Sequence, residues 1–164
     1  MRHEWRVRRT RRGDFQLRIP AQEREVLRGL PGQLRALLGT GDPALERLFP
    51  PAYPDDPDRD AEYAEMVRAD LLAGRLSSLQ VMEATLEATR LDEEQLTAWL
   101  GALNDLRLVL GTRLDVTEEL YDAPIAEDDP NAPSHTLYLY LGWLQEQVVE
   151  ALAAGLDPTG TVDD

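Results

Sequence analysis

The chain has 164 residues, of which 43% are apolar, and a formal net charge of −14 at pH 7. This length and apolar content are typical of one domain with its own hydrophobic core. Cysteine is absent, which excludes disulfides, thiolate nucleophiles and Cys-ligated zinc. No apolar stretch approaches the about 18 residues that a membrane span needs, and no signal peptide is evident, so we expect a cytoplasmic protein.

Charge is divided unevenly along the chain. Residues 1–35 hold ten Arg and four acidic residues, a net charge of +6, whereas the remaining 129 residues hold seven Arg and 27 acidic residues, a net charge of −20. The acidic part repels the phosphate backbone of nucleic acids, so we expect nucleic-acid binding to be disfavoured except through the N-terminal segment. That segment could equally pair with an acidic protein.

Residues 1–19 are predicted to form a β-hairpin, with Arg12-Gly13-Asp14 as the turn. One face would carry the apolar residues that alternate with polar ones, namely Trp5, Val7, Phe15, Leu17 and Ile19. The other residues of interest are the basic ones, Arg6, Arg8, Arg11, Arg12 and Arg18. They could form a phosphate-contacting wing, or they could protect a sheet edge and pair with the acidic body. We favour the second interpretation because charged edges are common in natural sheets.

Helical spacing dominates the next part of the chain. Apolar residues from Val26 to Leu38 keep this spacing through Pro31-Gly32, which predicts one helix that is kinked there and ends at Gly39. Asp42-Pro43 predicts the start of a short helix, which Pro50-Pro51 ends before an extended connector to Asp58. A helix from Tyr63 to Leu72 is predicted to break near Gly74, and another follows from Leu76 to Leu86; both should pack on the long helix that comes next.

The stretch from Leu91 to Val116 predicts that long helix, which should form the core. Asp92 is placed as its N-cap, Gln95 completes a capping box at the third helical position, and Leu91 can pack on Leu96 as a hydrophobic staple. Apolar residues then recur at steps of three and four and define a buried stripe, which consists of Leu96, Trp99, Leu103, Leu106, Leu110 and Leu114.

Five polar residues interrupt the apolar pattern in the second half of this helix: Asn104, Asp105, Arg107, Arg113 and Asp115. Polar groups beside an apolar stripe must be hydrogen-bonded when they are buried. They could form a pocket for an anion or a partner's carboxylate, built around Arg107 and Arg113. They could instead form an internal network that fixes the helix register or a dimer interface, and we favour this second interpretation because structural ion-pair networks are frequent.

The C-terminal part is predicted to begin with an acidic loop of about sixteen residues, which is long for a compact domain. A helix from Ser134 to Ala154 follows; Leu-Tyr alternation at 137–141 leaves a strand as the alternative. Because its first half is apolar around the whole circumference, we predict burial on two sides and a homodimer. The candidate interface residues are Leu137, Tyr140, Leu141, Trp143 and Leu144. Residues 155–164 are predicted to be a disordered tail.

Known catalytic and metal-binding patterns are not matched. Asp56, Asp58 and Asp60 have the spacing of a calcium loop, but Ala61 stands where its glycine is required and Val67 where its bidentate glutamate is required. His3 and His135 are the only histidines, and neither lies in a metal-ligand or serine-triad pattern. We therefore predict no catalytic residues, no metal site and no cofactor.

Four segments together resemble the actinobacterial domain of unknown function 2017 family: RLFPPAYPDDPD (47–58), DLLAGRLSSL (70–79), WLGALNDLRLVLGTRLDV (99–116) and LYLYLGWLQEQVVEAL (137–152). With the N-terminal hairpin, the resemblance covers nearly the whole chain. It implies a protein without known enzymatic activity, and some members are described as oxidative-stress transcriptional regulators. It offers no catalytic residues to carry over. Because this chain has no cysteine, a cysteine-based switch cannot operate in it.

The sequence therefore predicts a mainly α fold, a helical bundle with an N-terminal β-hairpin (1–19), forming one domain over residues 1–154. We expect a non-enzymatic regulatory or protein-interaction module, without membrane association and with a partner that the sequence does not specify. Two rival hypotheses remain. One is a direct DNA-binding regulator that uses the arginine-rich hairpin, and the other is an enzyme or small-anion binder with a pocket at Asn104, Asp105, Arg107 and Arg113.

Overall fold

The computed structural model describes residues 5–40, 42–49, 53–114 and 128–156. These residues are mainly helical, with a small antiparallel sheet at the N-terminus, which confirms the predicted fold class. The elements in chain order are β1 (Val7–Arg9), β2 (Phe15–Leu17), α1 (Ala21–Arg28), α2 (Leu30–Leu38), a 3-10 helix (Pro43–Leu48), α3 (Pro57–Ala84), β3 (Arg90–Leu91), α4 (Glu93–Leu114), α5 (Ala132–Ala153) and a 3-10 turn (Ala154–Leu156).

The hairpin forms as predicted, with Val7 opposite Leu17. Its turn contains Gly13 at a φ of 90°, a left-handed conformation that glycine adopts without the steric cost of a side chain. A third strand, β3, pairs antiparallel with β2 and places Leu91 opposite Phe15. This strand was not predicted, because two residues are too few to show an alternating pattern. Four of the five predicted inward residues are buried and Trp5 is half-buried.

Helix α4 begins as the sequence predicts. The Asp92 carboxylate accepts a hydrogen bond from the Gln95 backbone N–H at 2.7 Å, and the Gln95 side chain accepts one from the Asp92 N–H at 2.9 Å. Leu91 and Leu96 on either side are both buried. The buried residues of α4 include Leu96, Trp99, Ala102, Leu103, Leu106 and Val109, so the helix lies at the centre of the core.

Helix α3 differs from the prediction, because it runs without a break through Gly74. A single glycine costs a helix interior only about 1 kcal/mol, which neighbouring turns can outweigh. The helix also begins at Pro57, inside the segment predicted to be extended. Its second half packs into the core through Leu79 and Met82, but Met66 in its first half is 79% exposed. In the predicted helix from Tyr63 to Leu72, only the end packs against the core, through Leu72, so the expectation that this helix packs on α4 is wrong for its exposed residues Tyr63, Met66 and Leu71.

Helices α1 and α2 replace the single kinked helix, and they meet at Gly29 rather than at Pro31-Gly32. Proline lacks a backbone N–H, and its ring clashes with the carbonyl four residues earlier, here that of Leu27. The first helix must therefore end before Pro31, which lies in the first turn of α2, where its missing N–H costs nothing. The C-terminal end of α2 at Leu38, with Gly39 as the cap, is as predicted.

The last helix, α5, is confirmed, and the strand alternative for residues 137–141 is wrong. It packs closely on α4 at Gly111, where a Cβ atom would lie 3.0 Å from the Tyr138 ring. Tyr138, Leu141, Leu144 and Val148 are buried against the core. Most of the predicted acidic loop and residues 157–164 of the predicted tail lie outside the described residues.

Candidate functional site

The five predicted polar residues do not form one constellation. Asp105 faces α3, where it forms an ion pair with Arg75, and it is only 3% exposed. Arg75 also donates a hydrogen bond to the Leu48 carbonyl at 2.8 Å and lies 5.4 Å from the Phe49 ring centroid. Burial raises the pKa of the Asp105 carboxyl, although Arg75 acts in the opposite direction. This contact joins three elements and leaves no free carboxylate.

Asn104 and Arg107 face α5 instead. Arg107 Nη1 donates to Gln145 Oε1 at 3.2 Å, and Gln145 Nε2 donates to Asn104 Oδ1 at 3.4 Å. The Arg107 guanidinium lies 5.5 Å from the Tyr138 ring centroid. The Arg113 side chain and Asp115 lie outside the described residues. The structure thus divides the predicted network between two helix–helix contacts.

Sequence reasoning missed both partners of this network, Arg75 and Gln145. Arg75 follows Gly74, where the sequence predicted a helix break, so its side chain could not be placed on a face of α3. Gln145 lies between the apolar positions of α5 and carries no motif. The only available signal was the need of a buried Asp105 for a cation, which does not say which arginine supplies it.

The predicted basic residues are also separated by the structure. Arg6 binds Glu23 on α1 through two hydrogen bonds of 2.8 and 2.9 Å and lies 5.1 Å from the Trp143 ring on α5. Its backbone N–H donates to Gln147 Oε1 at 3.0 Å. Burial alone would raise the pKa of Glu23, but the hydrogen bonds and positive charge of Arg6, with the nearby Tyr140 hydroxyl, outweigh it and lower the pKa. Arg6 therefore attaches the hairpin to the helices.

Arg8 and Arg18 remain on the solvent-exposed side of the sheet. Their guanidinium groups lie 5.3 and 5.8 Å from the ring of Trp5. Arg11 and Arg12 are exposed near the hairpin turn. The exposed side of the three strands, which we call the arginine face, consists of Arg8, Gln16, Arg18 and Arg90.

The predicted interface on α5 is divided between core and surface. Leu141 and Leu144 are 1% and 0% exposed, so the chain's own core already covers them. They are not available to a partner because α5 turns this side towards α4. Leu137 and Tyr140 are half-buried, and Trp143 is 37% exposed. The Tyr140 hydroxyl is buried beside Glu23 without a well-aligned hydrogen bond, and burial raises its pKa.

The described residues also enclose an apolar cleft of about 380 Å³ between α2, α4 and α5. Leucines such as Leu34, Leu110 and Leu137 form most of its wall, and its polar residues, including Gln33 and Ser134, are uncharged. Neither Asp105 nor Arg107 reaches it. Within the described part of the chain, no group of three or more His, Asp or Glu is placed to hold a metal ion. No helix there is long and apolar enough to span a membrane.

Comparison with known proteins places this chain in a family. The family model described as domain of unknown function (DUF2017) matches residues 1–152. The chain belongs to this family. The resemblance seen in the sequence is thereby confirmed.

Individual relatives are mycobacterial. The chain is 32% identical over 158 residues to the putative oxidative stress regulator AosR of Mycobacterium leprae, an alignment that covers 82% of this chain and 69% of the relative. It is 32% identical over 129 residues to the oxidative stress regulators AosR of Mycobacterium bovis and Mycobacterium tuberculosis, covering 68% of this chain and 59% of each relative. The chain thus spans less than two thirds of the length of these last two. No solved structure matches.

Proposed function

We propose that this chain is a non-enzymatic regulatory protein of the oxidative-stress response, active in the cytoplasm, which acts by binding another protein. The observation that carries the proposal is that the candidate polar side chains are already bonded to other side chains of this chain. Asp105 is paired with Arg75, and Asn104 and Arg107 are bonded to Gln145. These side chains hold helices together. They do not converge on a common cleft, although the enzyme hypothesis requires such convergence.

The names of the relatives support the regulatory part of the proposal. The mycobacterial proteins are called oxidative stress regulators, and the alignment with the Mycobacterium leprae protein covers most of both chains. Because this chain has no cysteine, the response cannot depend on oxidation of its own thiols. We therefore propose that the oxidant signal reaches it through the partner or through its abundance.

A homodimer is also part of the proposal. Trp143, which is 37% exposed, leaves an apolar surface on α5 beside the half-buried Tyr140, whose ring centroid lies 6.1 Å from that of Trp143. Such residues are typical of the centre of a two-fold interface.

A second candidate function is direct DNA binding through the hairpin. The exposed Arg8 and Arg18, neither of which is paired with a carboxylate in the described part of the chain, favour it. The net charge of −14 opposes it, because a strongly acidic chain repels the phosphate backbone.

The test is genetic and biochemical. In the native host, deletion of the gene should lower survival under peroxide, and the wild-type chain should restore it. An Asn104→Ala/Arg107→Gln variant, checked for folding by circular dichroism, should restore survival equally, because these residues have a structural role. The tagged chain should capture a specific protein, with a tagged unrelated acidic protein as the control. Loss of complementation in the folded variant would favour the enzyme hypothesis, and unchanged survival in the deletion strain would contradict the regulatory role.

A further inference from the structure

The arginine face differs from the other basic surface of the N-terminal segment in having few ionic partners. Arg24 and Arg28 on α1 pair with Glu87 at 3.4 and 2.6 Å, and Arg35 on α2 pairs with Glu83. Arg8 and Arg18 form no ion pair with any described residue. Cations that the fold itself does not pair remain available to carboxylates from outside.

Protection of a sheet edge accounts for Arg8 and Arg90, which lie on edge strands, but not for Arg18. The strand order is β1-β2-β3, so β2 lies in the middle of the sheet. Arg18 continues β2, where its N–H donates to the Arg6 carbonyl at 2.7 Å. A charge on a central strand does not block pairing at an edge, which is the role of edge charges in natural sheets. Arg18 therefore needs another explanation.

The two guanidinium groups are also held in place. Both lie within 6 Å of the half-buried Trp5 ring, at 5.3 Å for Arg8 and 5.8 Å for Arg18. Cation–π contacts of this kind restrict long side chains that would otherwise sample many rotamers. Side chains ordered before binding lose less conformational entropy when a ligand arrives. The face thus has the order that a recognition surface needs.

Across the sheet the face forms a row. Arg8 lies opposite Gln16, and Gln16 lies opposite Arg90. The row therefore places one guanidinium group on each side of the Gln16 amide. Neighbouring strands are about 5 Å apart, which separates Arg8 and Arg90 by roughly 10 Å at the backbone. Among the described residues, Arg90 pairs with Asp14 at a long distance of 3.5 Å. Arginines at this spacing can each take one carboxylate in a two-pronged hydrogen bond.

We propose that the arginine face is the docking surface for a short acidic segment, rich in Asp and Glu, of a partner protein. This inference rests on the proposed function and names the surface and the chemistry of the partner. Charge complementarity favours protein over nucleic acid. Residues beyond 35 carry a net charge of −20. A duplex carries one charge per about 1.7 Å along its whole length and is repelled by the net negative charge of the chain, whereas a short acidic segment brings only a few charges, all of which the face can take up.

Binding can be measured by fluorescence anisotropy on the full chain. The probe is a labelled hexaglutamate peptide with Gly-Ser flanks, and the reference is the same peptide with Gln in place of Glu. We expect the Glu peptide alone to bind, with an affinity that falls as salt is raised. An Arg8→Gln/Arg18→Gln variant should bind about tenfold or more weakly, because two charge-assisted hydrogen-bonding groups are lost.

A matched control removes the same two charges elsewhere. An Arg24→Gln/Arg28→Gln variant changes the net charge equally but leaves the arginine face intact, so its affinity should change less than about twofold. Equal weakening in both variants would show that only overall charge matters and would overturn the proposal. Absence of binding by the wild type would also overturn it. A short DNA duplex that binds more tightly than the peptide, and loses binding in Arg8→Gln/Arg18→Gln, would replace it with nucleic-acid binding.

The native host separates failure of this inference from failure of the proposed function. If Arg8→Gln/Arg18→Gln still restores peroxide survival and still captures the partner that the wild type captures, the partner binds elsewhere and only the docking surface is refuted. If the wild type itself neither restores survival nor captures a protein, the proposed function is refuted, and the docking surface is refuted together with it. If the variant alone loses both, while Arg24→Gln/Arg28→Gln keeps both, the docking surface is supported.

Discussion

Arg75 on α3 and Asp105 on α4 form an ion pair across the core, with the carboxylate almost completely covered and the guanidinium also bound to the Leu48 carbonyl at 2.8 Å. The buried charge of Asp105 on the central helix is therefore neutralised by the Arg75 guanidinium of a neighbouring helix. The pair fixes the position of α3 relative to α4 and orients the end of the 3-10 helix.

Replacing Arg75 with methionine should destabilise the fold by about 3 kcal/mol at neutral pH, because it leaves a buried carboxylate without a partner. Methionine keeps much of the apolar contact with Phe49, so the change mainly removes the charge. Urea unfolding followed by circular dichroism gives the free energy of unfolding. Adding Asp105→Asn to this variant should recover about 1–3 kcal/mol, since the unpaired charge is then removed. A double variant less stable than Arg75→Met would contradict the ion-pair interpretation.

The stability of the fold should depend on the protonation of Asp105. Burial raises its folded-state pKa above the ordinary value of 3.8. A carboxyl with a raised folded pKa contributes stability below its unfolded pKa and loses it as the pH rises through the folded pKa. The unfolding free energy of Asp105→Asn minus that of wild type should therefore be highest at pH 7 and should decrease as the pH falls towards 3.8. Taking this difference at each pH cancels the other carboxyl groups; no dependence on pH would contradict the prediction.

Trp99 should be among the most sensitive positions of the core. Its side chain is 0% exposed, and its indole N–H donates to the Thr85 hydroxyl at 2.7 Å. We expect Trp99→Ala to lower the free energy of unfolding by about 3–5 kcal/mol, through the cavity and the lost contacts. Trp143→Ala, on a residue that is 37% exposed, is the control and should cost clearly less. A loss below about 1 kcal/mol for Trp99→Ala would contradict the assignment of α4 to the core.

The isolated protein should not bind DNA sequence-specifically at physiological salt. The net charge of −20 on the residues beyond 35 opposes the net charge of +6 on residues 1–35. Anisotropy with labelled duplexes of several sequences measures this directly. Submicromolar binding to one sequence, weakened by Arg8→Gln/Arg18→Gln together with a shallower salt dependence, would instead establish the DNA-binding regulator.

The oligomeric state can be measured by light scattering after size-exclusion chromatography. We expect a mass of twice 18.4 kDa. If the interface lies on α5, Trp143→Glu should shift the protein towards the monomer, because a charge in the centre of an interface is costly when unpaired. Leu71→Glu, on an exposed position of α3, is the matched control. If only the control variant shifts towards the monomer, the interface lies on α3 and not on α5. A wild-type protein that is monomeric at all micromolar concentrations would refute the dimer.

Features that depend on neighbouring residues were predictable from the sequence. The start of α4 follows from Asp92 and Gln95, which bond to each other's backbone within one turn. The hairpin follows from alternation around a glycine that accepts a positive φ, and the turn at Gly13 is where the sequence places it. Such features need no knowledge of the rest of the chain, because their hydrogen bonds close over a few residues.

Contacts between distant elements were decided only by the tertiary structure. Which arginine neutralises Asp105, which arginine of the hairpin is attached to Glu23 and which remain exposed, and which leucines of α5 face the core all depend on how the elements pack. Periodicity assigns a residue to one side of a helix or strand, but it does not say what lies on that side. The continuous α3 illustrates the same limit, since packing of its second half outweighs the local cost of Gly74.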